Sequence, residues 1–361
     1  MRVLFIAPLP PPVNGQSVVS QRLLEHLQTT HDVTPINIRK QSLKDGLNSL
    51  ERVVEVLGTL RAVARERRHV EVVYLTIAES MAGNLKDLVI CLLCRRPRLR
   101  TYLHLHGGSL RRLLYDRHRS VYWLNRLILR NVAGAIVSGP SHIDVFEGVL
   151  DPGRVHIAAN YAGDELFVAA EQVANKFAST APIRILYISH MTEMKGYKRL
   201  IDAYFQSSEA VKRAIRIDFA GAFDDEAGKK AFLDAIKYEP RLRYHGVVDT
   251  ESKRCLVQGA HVFALPTAFF EGQPISILEA YAAGCVVVAT GQPGILDIFT
   301  PGENGYVLPE NTPSGIAEVL CRLVSERDDL GEIAMRNRRL ADARYRASTA
   351  MANVSGILER T

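Results

Sequence analysis

Apolar positions along the chain fall into two alternating patterns: short β-rich runs, and longer stretches with helical spacing. In the first half, Arg2–Ala7, Val70–Ile77, Leu99–Leu105 and Ala133–Val137 have strand length and strand composition. Val18–Leu27, Leu50–Arg65, Leu85–Leu93 and Val121–Leu129 lie between or beside them and place apolar residues at helical intervals. Nearly continuous apolar strands separated by amphipathic helices are the rhythm of a parallel sheet covered on both faces. Residues 168–182 break the rhythm and read as a linker. A second series then follows, with strands at Ile183–Ser189, Ile215–Ala220, Leu242–Gly246, Val262–Leu265 and Val286–Ala289. Its helices are expected at Lys198–Gln206, Ala227–Lys237 and Ile275–Ala283, and from Ser314 the pattern is helical to the end. The expected architecture is α/β, with two Rossmann-like doubly wound domains facing a cleft. They would cover residues 1–167 and 183–340, and a terminal helix in 341–361 would pack back on the first.

Length agrees with this division, because 361 residues exceed one ordinary core. At 47% hydrophobic and 23% charged, the chain is neither fibrous, disulfide-built nor disordered. No apolar run reaches the roughly 18 residues of a membrane span, and the proline-rich start is too short in apolar length for a signal peptide. Five cysteines, mostly inside apolar runs, suggest a reduced, cytoplasmic setting. Cys91 and Cys94 form a C-x-x-C within such a run, which reads as core packing rather than redox chemistry.

Charge adds a functional hint. Residues 1–160 hold 22 Lys and Arg against 13 Asp and Glu, whereas the remainder is slightly acidic. Ser49–Arg68 and Arg111–Arg130 mix arginines with Leu, Val, Tyr and Trp123 at helical spacing. Such basic amphipathic stretches suit an anionic bilayer surface, or else form a solvated basic face. Nucleic acid is the competing anionic partner, but no nucleic-acid-binding motif is present.

The richest segment runs from Val262 to Thr290, with the grammar strand, loop, helix, strand. Pro274 suits the first helical position, where a missing N–H costs nothing, and Gly284 suits the position after the helix. Backbone N–H groups around Gln273–Ser276 would face a ligand beyond the strand end, where open α/β sheets bind phosphates. Glu271 precedes these donors and Glu279 lies inside the helix, eight residues on. Two such carboxylates can accept hydrogen bonds from sugar and ribose hydroxyls.

Glu271-Gly272-Gln273-Pro274, followed by Glu279-Ala280 and Ala283-Gly284, resembles the E-x7-E signature of retaining glycosyltransferases of family 4, which have the glycosyltransferase-B fold. Gly291–Asp297 and Gly302-Glu303-Asn304-Gly305 are similar to that family's glycine-rich and "gENG" segments. The Pro10–Ser17 loop and Ile185–Gly196 also fit, so the likeness runs from residue 1 to about 310. It implies that Glu279 binds the ribose of a nucleotide-sugar donor, UDP- or GDP-linked. Glu271 and the backbone of Gly272, Gln273, Pro274 and Ile275 would hold the transferred sugar and the diphosphate. Lys195, in Glu193-Met194-Lys195-Gly196, would neutralise the leaving diphosphate, a fixed charge aimed at developing negative charge. No metal and no cofactor is implied, and no acidic Asp-x-Asp loop is found.

One place departs from the family pattern. Gly-Arg after the first strand of the second domain is Ser189-His190 here, leaving His190 as a phosphate donor, or Lys195 and Lys198 to share that work. In the first domain, alternation along Tyr102–Ser109 puts His104 and His106 on one face. The resemblance gives His106 the reacting sugar and His104 a supporting place on the acceptor side. A bare His-x-His can also ligate metal, but no further ligands accompany it at suitable spacing. Asn14-Gly15-Gln16-Ser17 resembles the family's first glycine loop, with Gly15 bordering the donor diphosphate and Asn14 and Gln16 toward the acceptor. It is not G-x-G-x-x-G, so nicotinamide binding has little support.

The sequence therefore reads as a retaining, metal-independent hexosyltransferase, acting at a glycan or polyprenyl-diphosphate-linked acceptor in polysaccharide assembly, at the cytoplasmic face of the inner membrane. A nucleotide-sugar epimerase of the same fold and a non-catalytic nucleotide-sugar-binding subunit are the alternatives.

Overall fold

The computed structural model describes residues 1–11, 15–38 and 50–360, apart from the side chains of residues 50–52. Internal contacts divide the chain into two compact units, Met1–Ala159 with Ala350–Thr361, and Asn160–Thr349.

The first unit alternates β1 (Arg2–Ala7), α1 (Gly15–Gln28), β2 (Asp32–Asn37), α2 (Leu50–Glu66), β3 (Val72–Thr76), α3 (Met81–Leu93), β4 (Arg100–Leu105), α4 (Arg119–Leu129), β5 (Gly134–Val137) and β6 (Val155–Ile157). Its six strands are parallel in the order β2-β1-β3-β4-β5-β6. Right-handed crossovers put α1 on one face of this sheet and α2, α3 and α4 on the other. β1, β3 and β5 are buried throughout their inner positions, as continuous Val, Leu and Ile runs require. β2 is absent from the sequence reading for a physical reason. Pro35 cannot donate to a ladder, and the strand survives because it lies at the sheet edge, half exposed. Cys91 and Cys94 are buried free thiols at the end of α3, and burial pushes Cys94 up to about 11.

The second unit opens with α5 (Ala170–Ala178), inside the stretch expected as a linker. Val173 is fully buried, and Lys176 Nζ donates to the Ala283 carbonyl at 2.9 Å, so this segment is part of the unit's body. The division falls between Ala159 and Asn160 rather than at 167. Then come β7 (Ile183–Ile188), α6 (Tyr197–Gln206), α7 (Glu209–Ala214), β8 (Ile215–Ala220), α8 (Glu226–Ile236), β9 (Leu242–Tyr244), α9 (Thr250–Gly259), β10 (Val262–Leu265), α10 (Ile275–Ala282), β11 (Val286–Ala289), α11 (Pro293–Leu296), β12 (Gly305–Val307), α12 (Pro313–Ser325), α13 (Leu330–Arg344) and α14 (Ala347–Glu359). The sheet order is β12-β11-β10-β7-β8-β9, all parallel. From Ala350 on, α14 belongs to the first unit, where Asn353 Nδ2 donates to the Ile157 carbonyl and Glu359 meets His31 at 3.1 Å.

Strand order reverses between β1 and β3 in one sheet and between β7 and β10 in the other. Open α/β sheets bind ligands beyond the carboxyl ends of strands flanking such a reversal. Topology therefore assigns a place to the Glu271 segment, which follows β10, while β4, the strand of His104, lies next to the reversal of the first sheet.

Candidate active site

At the reversal point of the second sheet, the loops after β7 and β10 are tied together. Ala268 N donates to the Met194 carbonyl at 2.7 Å, and Arg199 Nη2 donates to the Pro266 carbonyl at 2.9 Å. Glu193–Lys195 forms a short turn in which Thr192 accepts from the Lys195 N–H. Gly196 then takes φ +91°, a left-handed conformation, and any Cβ there would collide with the Pro266 carbonyl.

This frame brings Lys195 Nζ to 2.6 Å from Glu271 Oε1, with both side chains mostly buried. Thr267 donates to the same carboxylate oxygen at 3.0 Å, and the Phe269 ring lies 4.9 Å from the ammonium. Thr267 is itself fixed, since Thr290 and Gln292 both donate to its carbonyl. A second pair lies on α10, where Lys253 Nζ of α9 meets Glu279 Oε1 at 2.6 Å. Each carboxylate of the sequence motif thus holds a lysine, and Lys253 is one that sequence reading missed.

The helix between these pairs has no side-chain cap. Pro274 is the capping residue rather than the first helical one. Its ψ of 112° is extended, and its carbonyl accepts from Ile277 N–H. The first-turn N–H groups after Gly272-Gln273-Pro274-Ile275 are therefore presented at the helix's positive end. Gly284, at φ +62°, closes the helix: its N–H bonds to Tyr281 and the N–H of Cys285 to Ala280. Gln273 is held by Asn160, whose N–H donates to Gln273 Oε1 at 2.6 Å and whose Nδ2 donates to its carbonyl at 2.9 Å. Gly294 lets α11 lie against the Gly272 carbonyl, where a Cβ would not fit. Asn304, by contrast, is buried scaffold, bonded to Asn337, which in turn donates to the Cys285 carbonyl.

His190, standing where the family pattern has arginine, is half exposed and lies 2.5 Å from Asp224 Oδ1. Lys198 pairs with Glu193 at the surface. Neither is in contact with the Lys195–Glu271 pair in any recorded hydrogen bond or ion pair among the described residues.

In the first unit, β4 delivers His104 and His106 to one face, their rings stacked 4.0 Å apart. His104 is buried and shares a 2.6 Å hydrogen bond with Tyr74, so it supports its neighbour instead of facing an open site. His106 Nε2 is buried and has no hydrogen-bond partner among the described residues. Burial pushes His106 down to about 4, and burial with the His106 ring alongside pushes His104 well down, so both are neutral near pH 7. Glu79, after β3, accepts the Ser109 N–H at 2.5 Å and lies against Gly107, where a Cβ would strike its carboxylate. Gly15 and Gln16 begin α1. Asn14 lies outside the described residues. Among the described residues no group of three His, Cys, Asp or Glu is arranged to hold a metal.

These features define a parallel α/β protein whose second sheet carries paired lysines and carboxylates beside a helix N-terminus at its strand-order reversal. Residues 170–340, within the second unit, match the family model "Glycosyl transferases group 1". The chain is 26% identical over 184 residues to the amylovoran biosynthesis glycosyltransferase AmsK of Erwinia amylovora, which covers 50% of this chain and 45% of that protein. It is 26% identical over 247 residues to the phosphatidyl-myo-inositol mannosyltransferase of Mycobacterium tuberculosis, covering 60% and 63%. The chain thus spans about half the length of the curated relatives it matches. Over its whole length it has the fold of Anabaena Alr3699/HepE crystallised in complex with UDP, with a TM-score of 0.76 at 13% identity and 99% of both chains covered. Sucrose-phosphate synthase (tll1590) from Thermosynechococcus elongatus superposes with a TM-score of 0.77 at 15% identity, covering 99% and 98%. The architecture is the two-domain α/β fold of the glycosyltransferase-B class.

Proposed function

We propose that this protein is a retaining, metal-independent glycosyltransferase that moves a sugar from a nucleoside-diphosphate sugar to a hydroxyl of a glycan or lipid-linked acceptor. The observation that carries the reading is the Lys195–Glu271 pair, seated at the strand-order reversal beside an uncapped helix N-terminus. Glu271 Oε1 already holds the ammonium in place, so the charge is preorganised before any diphosphate arrives. On donor binding, Lys195 and the first-turn N–H groups of α10 take the diphosphate, which stabilises the negative charge that develops as the sugar–phosphate bond breaks. Glu271 is then free to accept hydrogen bonds from the sugar, and Glu279 from the ribose. His106, neutral and with an unmatched Nε2, supplies a donor or acceptor for a sugar hydroxyl without adding charge. Retention follows from the family likeness, with the leaving phosphate taking the acceptor proton on the same face.

A solved structure of the same fold holds UDP, and relatives of the chain include an amylovoran biosynthesis glycosyltransferase and a phosphatidyl-myo-inositol mannosyltransferase. UDP-sugars are therefore the first donors to test, GDP-sugars the second. The reaction needs no cofactor in this reading, and it takes place in the cytoplasm, with the basic first unit at an anionic membrane surface. No helix of the described residues is long and apolar enough to cross a membrane.

The test is thermal shift with UDP-, GDP- and ADP-sugars on the wild type and on Glu279→Ala. A rise with one nucleotide class, lost in the variant, is the expected result. No rise with any of them in a folded protein overturns the donor site.

A further inference from the structure

Glu279 is the one charged residue of α10, whose positions from Ile277 to Ala282 are all buried. It is itself only 9% exposed. A carboxylate in such a place is costly unless a partner compensates its charge. An uncharged side chain of similar volume would hold the helix as well or better, because desolvation offsets much of what a buried ion pair gains. The charge at 279 therefore serves something other than stability, and so does the cation that comes with it.

That cation is Lys253, on a different helix. Asp249 caps α9 by accepting the Ser252 N–H at 2.7 Å, and the Lys253 N–H bonds to the Asp249 carbonyl. Lys253 thus stands one turn from the positive end of α9, where the helix dipole opposes a cation. Glu251, in the same turn, has the favoured sign and pairs at the surface with Arg254. Residues four apart share a helix face, so Lys253 lies on the side of the buried Val257, toward the body of the unit. Its Nζ ends 2.6 Å from Glu279 Oε1, with the lysine side chain 34% exposed. Position along α10 separates its work from that of Lys195. Glu279 is the fifth residue of the helix, about 6 Å along the axis from Ile275. Lys253 is therefore beside the body of the helix, whereas Lys195 holds Glu271, ahead of its N-terminus. A diphosphate at the helix end engages Lys195 and the first-turn N–H groups. What Lys253 acts on is the carboxylate it holds: an ammonium on one oxygen fixes the carboxylate plane and compensates its charge, so that neutral hydroxyls meet an oriented acceptor.

We propose that Lys253 is a positioning residue that sets Glu279 for the vicinal hydroxyls of a ribose, and through that carboxylate makes the site select ribonucleoside diphosphates over their deoxy counterparts. This rests on the donor-site reading above and narrows it, since a thymidine-linked sugar, which lacks the 2′-hydroxyl, is then a poor donor.

The experiment is titration calorimetry with UDP, GDP and ADP, each beside its 2′-deoxy and 3′-deoxy forms. The wild type should bind one ribonucleotide about 10-fold or more tighter than its 2′-deoxy form, the worth of a hydrogen bond to a charged group. Lys253→Met should weaken that ribonucleotide by about 10-fold and bring the ratio to within about 3-fold. Lys253→Arg, which keeps a cation on Glu279, should regain most of the ratio. In a Glu279→Gln background Lys253→Met should cost nothing further, because it acts through that carboxylate. This double variant leaves no unpaired carboxylate in α10, so it also answers the question if the single variant does not fold. Arg254→Met, at the surface of the same turn, should change nothing. A Lys253→Met protein that binds as the wild type does, or binds more weakly with the ratio intact, overturns the inference. So does a further loss in the Glu279→Gln background, because the lysine then touches the nucleotide itself. A wild type that binds ribo and deoxy forms alike overturns the inference and leaves nucleotide binding standing. A folded wild type that binds no nucleotide overturns the donor site, and this inference with it.

Discussion

Both sheets place chemistry beyond the carboxyl ends of their strands, at the reversal itself in the second and one strand from it in the first, and they equip the two places in opposite ways. Beyond β7 and β10 the site is ionic: two lysines, each held by a carboxylate at 2.6 Å, around a helix N-terminus. Beyond β4 it is neutral, a stacked pair of buried histidines whose protonation is opposed by burial. A polyanionic leaving group needs the first kind of surface, and a neutral hydroxyl in a region of low polarity is served by the second. The difference teaches that similar doubly wound scaffolds divide the labour through side-chain charge, not through topology.

The sharpest way to break this comparison is to remove the cation. Lys195→Ala should lower kcat by about 10²- to 10³-fold, the usual loss when one preorganised stabiliser of transition-state charge is deleted. It also leaves Glu271 without its ionic partner, so donor affinity should fall as diphosphate meets an uncompensated carboxylate. Lys195→Arg should recover part of kcat. Steady-state turnover of a UDP-sugar, measured by nucleotide release, gives both values. If Lys195→Ala turns over as the wild type does, the charged half of the contrast is lost.

The second test uses acid. Burial lowers His106 to about 4 from its ordinary value near 6.5. The unfolded chain therefore takes up this proton at a higher pH than the folded one does. The stabilising contribution is complete above about 6.5 and is lost as pH falls from there through about 4, up to about 3 kcal/mol in total. His104 adds to the loss in the same direction. His261 in the second unit is also held neutral, at about 4, donating from Nε2 to the Lys176 carbonyl while Nδ1 accepts from Arg184 N–H. The chain has one tryptophan, Trp123, and it reports on the first unit alone. Acid titration followed by Trp123 fluorescence should show His106→Gln unfolding at lower pH than the wild type. An unchanged midpoint would mean that the histidine pair is not what limits the first unit in acid.

How far all this was legible depended on sequence distance. The segment from Glu271 to Gly284 could be read because its grammar is local: loop, helix start, carboxylate one turn and a half in, and a glycine that must turn left-handed. Even there the helix begins at Ile275 as its spacing gives, but Pro274 caps it instead of opening it, a difference that only the carbonyl of Pro274 decides. The partners that position these residues were not legible. Asn160 reaches Gln273 across 113 positions, Lys195 reaches Glu271 across 76, and Lys253 comes from a different helix. Nothing in a neighbouring residue announces such contacts, because the fold creates them. The same holds for α5, whose short polar-apolar mixture reads as a break until Val173 is seen packed against Gly284. β12 is only three residues long, too short for any period to show.

The smallest effect expected concerns Glu79, a carboxylate packed against the loop that follows His106. Burial raises its pKa, only partly offset by the N–H groups of Ser109 and Leu110. A raised folded value means that the protonated form is the better match to the fold. The contribution is therefore complete below the unfolded value and is lost as pH rises through the folded one, a slope opposite to that of His106. Glu79→Gln keeps an acceptor for both N–H groups and removes the titration. It should match the wild type near pH 4 and exceed it at pH 8 by less than about 1 kcal/mol, since one buried charge is exchanged for a hydrogen-bonded amide. Urea midpoints by Trp123 fluorescence at the two pH values measure the difference. A glutamine variant weaker than the wild type at pH 8 would show that the loop after His106 is held by an ionised carboxylate, and the first site would then be less neutral than its histidines make it.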